Sequence, residues 1–126
     1  MSKTVERRKK ILIVDDEEGV RELLSEGLKL RGYEISTAVD GMDAVQQAFQ
    51  SVPDLILLDV LMPKMDGWHV LERLRQDEKT QLVPIIMLTA KSETEALFRS
   101  EEHKAVDYFI KPINIQELLI SIRRYI

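Results

Sequence analysis

An aspartate that ends an apolar run is the first feature of this sequence that could carry chemistry. The stretch LILLDVLMPKMDG, residues 55–67, stays apolar until Asp59. Asp15 and Asp16 follow the shorter run ILIV in the same way. If the two runs are neighbouring parallel strands, the three carboxylates meet at one edge of a sheet, where their repulsion raises at least one pKa unless a cation intervenes. A hard cation with oxygen ligands, such as Mg²⁺, fits this position.

The chemistry that suits such a site is phosphoryl transfer. A carboxylate can attack phosphorus as a nucleophile and form an acyl phosphate. Catalysis of this step depends on positioning and on neutralising the charge of the phosphoryl oxygens. Thr89 and Lys111 follow two other apolar runs, and each could meet one phosphoryl oxygen. We expect Asp59 to be ionised near pH 7 and to need no general base, so the site should accept a phosphoryl group.

Five short apolar runs predict the strands that position these residues. Three of them are almost wholly apolar, as expected of a parallel sheet with helices on both faces. Segments of helical periodicity lie between them. The alternation predicts a doubly wound α/β domain with a five-stranded parallel sheet and five helices. The predicted strands are residues 11–14, 33–38, 54–58, 84–88 and 107–110.

Local signals predict where the helices begin and end. Gly32 should end the first helix, and Asp40 and Asp66 should cap the second and third. Ser92 opens a capping box for the fourth, and Asn114 should cap the fifth. The first helix should bury an apolar stripe formed by Val20, Leu23, Leu24, Gly27 and Leu28.

The composition limits the classes of function. The 126 residues suit one domain, and the absence of cysteine excludes disulfides and thiolate metal sites. No run is long enough for a membrane span or a signal peptide, so we expect the cytoplasm and no membrane partner. The net charge of −4 disfavours direct binding of nucleic acid. Residues 1–9 are expected to form a basic tail and residues 10–126 the domain.

Four motifs together resemble the receiver domain of two-component response regulators. ILIVDDEE, LILLDVLMPKMDG, IIMLTA and DYFIKP occur in that order, each at the end of a predicted strand. The resemblance covers the chain from about Lys10 to Ile126 and implies a flavodoxin-like fold with strand order 2-1-3-4-5. It also implies phosphorylation of Asp59 that depends on Mg²⁺, which Mn²⁺ can replace. The donor would be a sensor histidine kinase or a histidine phosphotransfer protein.

The resemblance assigns roles to the acidic residues. Asp59 would be the phosphoacceptor, and Asp16 would bind Mg²⁺ directly. Asp15 would act mainly through water, while the backbone carbonyl of Leu61 would complete the ligands that the protein supplies. The domain would phosphorylate and dephosphorylate itself but would not otherwise be an enzyme.

Further roles implied by the resemblance concern the response to phosphorylation. Thr89 would be the switch hydroxyl, Tyr108 the aromatic residue that moves with it, and Lys111 a contact of the phosphoryl group. The response would reach a face formed by the fourth helix, fifth strand and fifth helix. That face would control a downstream target or a fused output domain, or would form a homodimer on phosphorylation. Three structural positions complete the pattern: Pro112 after a cis peptide bond, Pro63 in the loop after the acceptor, and Gly67 at the turn into the third helix.

Three other functions were weighed against this one. A phosphohydrolase of the haloacid-dehalogenase type would need a second acid two residues after its nucleophile, where this chain has Leu61. A nucleotide- or flavin-binding module would need a Gly- or Ser/Thr-rich phosphate loop, where this chain has DDEEG. A degenerate receiver that only binds partners would lack key residues, which are all present. Because an apolar Leu61 cannot orient an attacking water molecule by hydrogen bonding, we also predict slower self-dephosphorylation than in a Leu61→Asn variant.

Overall fold

Strands and helices alternate through the part of the chain that the structure, a computed structural model, describes: residues 7–90 and 105–126. The predicted fourth helix, beginning at Ser92, and His103, predicted to lie at the surface, fall outside these residues. The strands are β1 (Lys10–Val14), β2 (Glu34–Ala38), β3 (Leu55–Asp59), β4 (Ile85–Thr89) and β5 (Asp107–Ile110). The helices are α1 (Glu18–Lys29), α2 (Gly41–Gln50), α3 (Gly67–Arg75) and a C-terminal helix (Ile115–Tyr125).

All five strands form one parallel sheet in the order β2-β1-β3-β4-β5. The predicted fold class and strand order are therefore confirmed. The order changes direction between β1 and β3, and ligands of such folds bind beside this switch point, at the carboxyl ends of the strands. Val14 pairs with Leu58, so the next residue of each chain segment, Asp15 and Asp59, lies at the same edge.

The core consists of two apolar clusters, one on each face of the sheet. α2 and α3 cover one face, and α1 and the C-terminal helix cover the other. β3 and β4 are buried along their whole length because helices cover both of their faces. The C-terminal helix buries Leu118, Leu119 and Ile122 against this second face.

The predicted helix caps are present wherever the structure describes them. Asp40, Asp66 and Asn114 each accept a hydrogen bond from the backbone N–H three residues later, at 2.8, 3.0 and 3.1 Å. Gly32 follows α1 with a φ of 92°, a conformation that favours glycine. The three capping side chains of Asp40, Asp66 and Asn114 satisfy N–H groups that have no partner within their own helix.

The prediction that Leu23 belongs to the buried stripe of α1 is wrong. Leu23 is 61% exposed, whereas Leu24 and Leu28 are buried. Residues four apart share one face of a helix, and one step along the helix turns the side chain by about 100°. Leu23 therefore lies beside the buried stripe. Among the described residues, no helix is both long enough and apolar enough to cross a membrane.

Candidate functional site at the carboxyl edge of the sheet

The carboxyl ends of three central strands bring predicted site residues together. Asp59 is the last residue of β3, Thr89 is the last of β4, and Asp15 directly follows β1. Their exposed fractions are 3%, 1% and 0%, respectively. Two carboxyl groups and one hydroxyl are thus held on rigid strands and largely withdrawn from water.

Lys111 joins the two buried carboxylates. Its Nζ lies 2.8 Å from Oδ2 of Asp15 and 3.4 Å from Oδ1 of Asp59. Burial alone would lower the pKa of Lys111, but its interactions with the carboxylates of Asp15 and Asp59 outweigh burial and raise it. The side chain therefore stays an ammonium ion. Its backbone N–H donates to the carbonyl of Thr89 at 2.7 Å, and the following bond to Pro112 is cis, as predicted.

The environment of Asp59 disfavours its charge. The pKa of Asp59 is raised from 3.8 to about 7, chiefly by burial and then by the charge of Asp15, with a smaller contribution from Asp16, while Lys111 opposes the rise. The prediction that crowding raises the pKa of a carboxyl group at this edge is confirmed. The expectation that Asp59 is already ionised near pH 7 is wrong for the protein without a bound cation, because about half of the molecules would be protonated at that pH.

Asp15 is held through its side chain but keeps one oxygen incompletely satisfied. Its Oδ1 accepts a hydrogen bond from the backbone N–H of Glu17 at 2.9 Å. Its buried Oδ2 has the Lys111 ammonium as an ionic partner but accepts no hydrogen bond of good geometry from the described residues. A buried carboxylate oxygen in this state can take a metal ion or a metal-bound water molecule.

The acidic loop after β1 offers a group of oxygens that could hold a metal ion. Carboxylate oxygens of Asp15, Asp16 and Glu17 lie within 4.8 Å of one another. The last two side chains are exposed. Asp59 is not a member of this group and is joined to Asp15 through Lys111. Glu17 was not among the predicted metal ligands. The acidic run DDEE, residues 15–18, was the sequence feature that could have indicated it.

The loop after Asp59 is packed so closely that only glycine fits at position 67. A Cβ atom on Gly67 would overlap the carbonyl oxygen of Asp59 and lie 3.0 Å from Cα of Val60. The backbone N–H of Gly67 donates to the carbonyl of Val60 at 2.8 Å. Gly67 begins α3, as predicted, and it also allows the helix to press against the backbone of the candidate acceptor.

The same loop contains a tight turn at Pro63. The carbonyl of Pro63 accepts a hydrogen bond from the N–H of Met65 at 2.8 Å, and Lys64 between them has a φ of 71°. A positive φ is uncommon in residues other than glycine. The side chain of Leu61 is 54% exposed and brings no polar group to the site. The role of its carbonyl as a metal ligand stays a prediction.

The two predicted switch residues lie on neighbouring strands. The Thr89 hydroxyl donates to the carbonyl of Ala90 at 3.2 Å. Tyr108 lies on β5, at the edge of the sheet, and is 41% exposed. These positions do not test the switch roles, which stay predictions. His69, predicted to be a surface residue, is exposed and pairs with Asp66.

The fold and the site define a doubly wound α/β domain with an acidic centre at its topological switch point. The chain belongs to the response regulator receiver domain family, whose model matches residues 11–123. It is homologous to regulators of two-component systems. The predicted family and the receiver function are therefore confirmed.

Two curated relatives and one solved structure illustrate the similarity. The chain is 40% identical to the DNA-binding dual master transcriptional regulator RpaA of Synechocystis sp., over 90% of this chain and 47% of RpaA. It is 46% identical to the alkaline phosphatase synthesis transcriptional regulatory protein PhoP of Bacillus subtilis, over 87% of this chain and 45% of PhoP. The structure of the chemotaxis protein CheY4 of Vibrio cholerae has a TM-score of 0.89 and 32% identity, covering 95% of this chain and 100% of CheY4. The chain thus spans about half the length of the curated relatives it matches.

Proposed function

We propose that this receiver domain is a phosphoacceptor switch and that Asp59 receives the phosphoryl group. The contact of one ammonium, that of Lys111, with both Asp15 and Asp59 is the observation that carries the proposal. It means that a carboxyl nucleophile with a raised pKa, a second carboxylate and a positive charge lie together in one small volume. Phosphoryl transfer to a carboxylate needs these groups together.

Mg²⁺ is the cofactor that fits the donor set. Asp16, Asp59 and the backbone carbonyl of Leu61 would bind it directly, and Asp15 would bind mainly through water. All of these donors are oxygens, which Mg²⁺ prefers, and Mn²⁺ accepts the same set. When bound, the ion supplies positive charge to the phosphoryl oxygens. The incompletely satisfied Oδ2 of Asp15 and the raised pKa of Asp59 both support a cation at this position.

The transfer step follows from the groups present. An ionised oxygen of Asp59 attacks the phosphorus of a phosphohistidine. The new O–P bond forms as the P–N bond breaks, and the imidazole leaves with the electron pair of that bond. Lys111 can pair with one phosphoryl oxygen, and Thr89 can turn its hydroxyl from the carbonyl of Ala90 to another. The donor is a sensor histidine kinase or a histidine phosphotransfer protein.

The phosphorylated state would act through a shift between two conformations. Thr89 and Tyr108 would favour one conformation of the face that includes β5 and the C-terminal helix, and the extent of the shift depends on how much more tightly that conformation holds the phosphoryl group. The partner would be a target protein or a fused output domain, since RpaA is described as DNA-binding. A homodimer formed through the same face is a further outcome. We assign the domain to the cytoplasm, where histidine kinases obtain ATP.

Intact mass spectrometry after incubation with acetyl phosphate tests the proposal. Wild type with Mg²⁺ should gain one phosphoryl group, and it should gain none in EDTA. Asp59→Asn should gain none under either condition. Asp54→Asn is a matched control, because Asp54 lies just before β3 and accepts from the N–H of Lys10 at 2.7 Å, at the opposite edge of the sheet. Loss of labelling in the control, or labelling of Asp59→Asn, would contradict the assignment.

A further inference from the structure

Arg21 ties the helix α1 to the acidic loop that precedes it. Its guanidinium Nη1 donates to the backbone carbonyl of Asp15 at 2.7 Å. Its backbone N–H donates to the carbonyl of Glu17 at 3.1 Å. The second bond is the ordinary backbone bond of the first helical turn, so the side chain of this partly buried residue acts on the segment through its bond to Asp15.

The carbonyl that Arg21 binds belongs to the buried residue of that group. The backbone N–H of Asp15 donates to the carbonyl of Ala38 at 3.3 Å, and its side chain is held by Glu17 and Lys111. The carbonyl lies just past the end of β1, and within residues 7–90 and 105–126 no backbone N–H outside the strands and helices donates to it. A backbone carbonyl with little access to water needs a partner, and the guanidinium of Arg21 is that partner.

We propose that Arg21 is a positioning residue for the magnesium site, an inference that rests on the proposed function. By fixing the backbone at Asp15, it holds the carboxylates of Asp15 and Asp16 close to one another. Neither the sequence motifs nor the family resemblance assigned Arg21 a role. A ligand's supporting hydrogen bonds set its orientation, and removing one typically costs about tenfold or more in metal affinity.

The charge and the hydrogen bond of Arg21 have opposite effects on metal binding. A guanidinium bound to the backbone of the acidic loop repels a cation held there, so removal of the charge alone would strengthen Mg²⁺ binding. Removal of the hydrogen bond loosens the loop and weakens binding. The sign of the change in affinity therefore separates a positioning role from a purely electrostatic one.

Calorimetric titration of wild type, Arg21→Met and Arg21→Lys with MgCl₂ measures that sign. We expect Arg21→Met to raise the Kd for Mg²⁺ about tenfold, although it removes a positive charge. Arg21→Lys keeps a donor on a long side chain and should recover part of the affinity. An unchanged or lower Kd in Arg21→Met would overturn the proposal.

Arg31→Met is the matched control. Arg31 also donates from Nη1 to a backbone carbonyl, that of Gly27 at 3.2 Å, but it is exposed and follows the other end of α1. It loses the same charge and the same kind of hydrogen bond away from the acidic loop. We expect its Kd for Mg²⁺ to stay within about twofold of wild type. An equal loss of affinity in both variants would overturn the assignment to Arg21.

Thermal unfolding separates positioning from general stability. Mg²⁺ raises the Tm of a protein that binds it only when folded, by an amount set by its Kd. Arg21→Met should show a smaller rise at a given Mg²⁺ concentration, whatever its Tm in EDTA. If only the Tm in EDTA falls, Arg21 is merely structural and the proposal is wrong. If Arg21→Met does not fold, the same Mg²⁺ titration and thermal unfolding are carried out on Arg21→Gln, which has a shorter neutral side chain. Wild type that binds no Mg²⁺ would overturn the proposed function itself.

Discussion

At the scale of single residues, the site holds a carboxyl group where its charge is unfavourable. Asp59 is 3% exposed and has two acidic neighbours, and the contact with Lys111 offsets only part of this cost. An ionised Asp59 lowers the folding stability of the metal-free protein. Binding of a cation, or addition of a phosphoryl group, changes this unfavourable charge. The burial that destabilises Asp59 is thus also the source of its ability to respond to binding.

The raised pKa of Asp59 predicts a pH dependence of stability in EDTA. A carboxyl group whose pKa rises on folding, here from 3.8 to about 7, favours the folded state while it is protonated. This contribution is complete below about pH 4 and is lost as the pH rises through 7. Relative to Asp59→Asn, the unfolding free energy of wild type should fall by up to about 4 kcal/mol between pH 4 and pH 8. Urea unfolding at several pH values measures the difference, and a constant difference would contradict the prediction.

Gly67 gives a second prediction at this scale. Gly67→Ala places a methyl group against the backbone of Asp59 and Val60, so the strand end or α3 must shift. We expect a loss of about 2 kcal/mol in unfolding free energy and slower labelling by acetyl phosphate. Gly19→Ala is the control, since a Cβ there meets nothing within 4 Å on α1. It should stabilise by about 0.5–1 kcal/mol, and similar effects of the two substitutions would contradict the packing explanation.

At the scale of elements, β5 and the C-terminal helix are joined by polar contacts as well as by apolar packing. The Ser121 hydroxyl donates to Oδ2 of Asp107 at 2.6 Å, and the Tyr125 hydroxyl donates to the carbonyl of Val106 at 3.0 Å. Both contacts lie at the start of β5, away from Lys111. The strand and helix should therefore move together on phosphorylation. Any bend between them should lie near Lys111, at the far end of β5 from these two contacts.

The two hydroxyls should contribute unequally to stability. Ser121→Ala removes a hydrogen bond to a carboxylate and leaves that oxygen without a donor, which should cost about 2 kcal/mol in unfolding free energy. Tyr125→Phe removes a hydrogen bond between neutral groups and should cost about 1 kcal/mol. Chemical unfolding of both single variants and the double variant measures these values. A larger cost for Tyr125→Phe than for Ser121→Ala would contradict this ranking.

At the scale of the whole molecule, the sequence predicted the elements better than the contacts between them. The sequence identified all five strands, most clearly the central β1, β3 and β4, because a strand covered on both faces must be apolar throughout. The strand order came from the family resemblance, since periodicity does not say which strands are neighbours. Leu23 was misassigned because it lies about 100° around the helix from the buried Leu24, outside the stripe that faces the core.

The candidate site shows the same division between what sequence patterns reveal and what they do not. Asp15, Asp59 and Lys111 could be found because each follows an apolar run, and strand ends in a parallel sheet share an edge. The roles of Arg21 and Ser121 could not be found, because each depends on how far a side chain reaches after the elements have packed. The protonation state of Asp59 was also missed, since burial rather than residue type sets it.

The final prediction links metal, pH and folding in one measurement. At a free Mg²⁺ concentration about 100 times its Kd, binding to the folded state alone should stabilise the domain by about 2.7 kcal/mol. The ion must compete with the proton on Asp59, so the gain should be large at pH 8 and small at pH 4, below the folded-state pKa of about 7. Urea unfolding with and without MgCl₂ at the two pH values, with NaCl of equal ionic strength as the control, measures both gains. Asp59→Asn should lose most of the difference between the two pH values. An equal gain at pH 4 and pH 8 in wild type would mean that the ion binds away from Asp59.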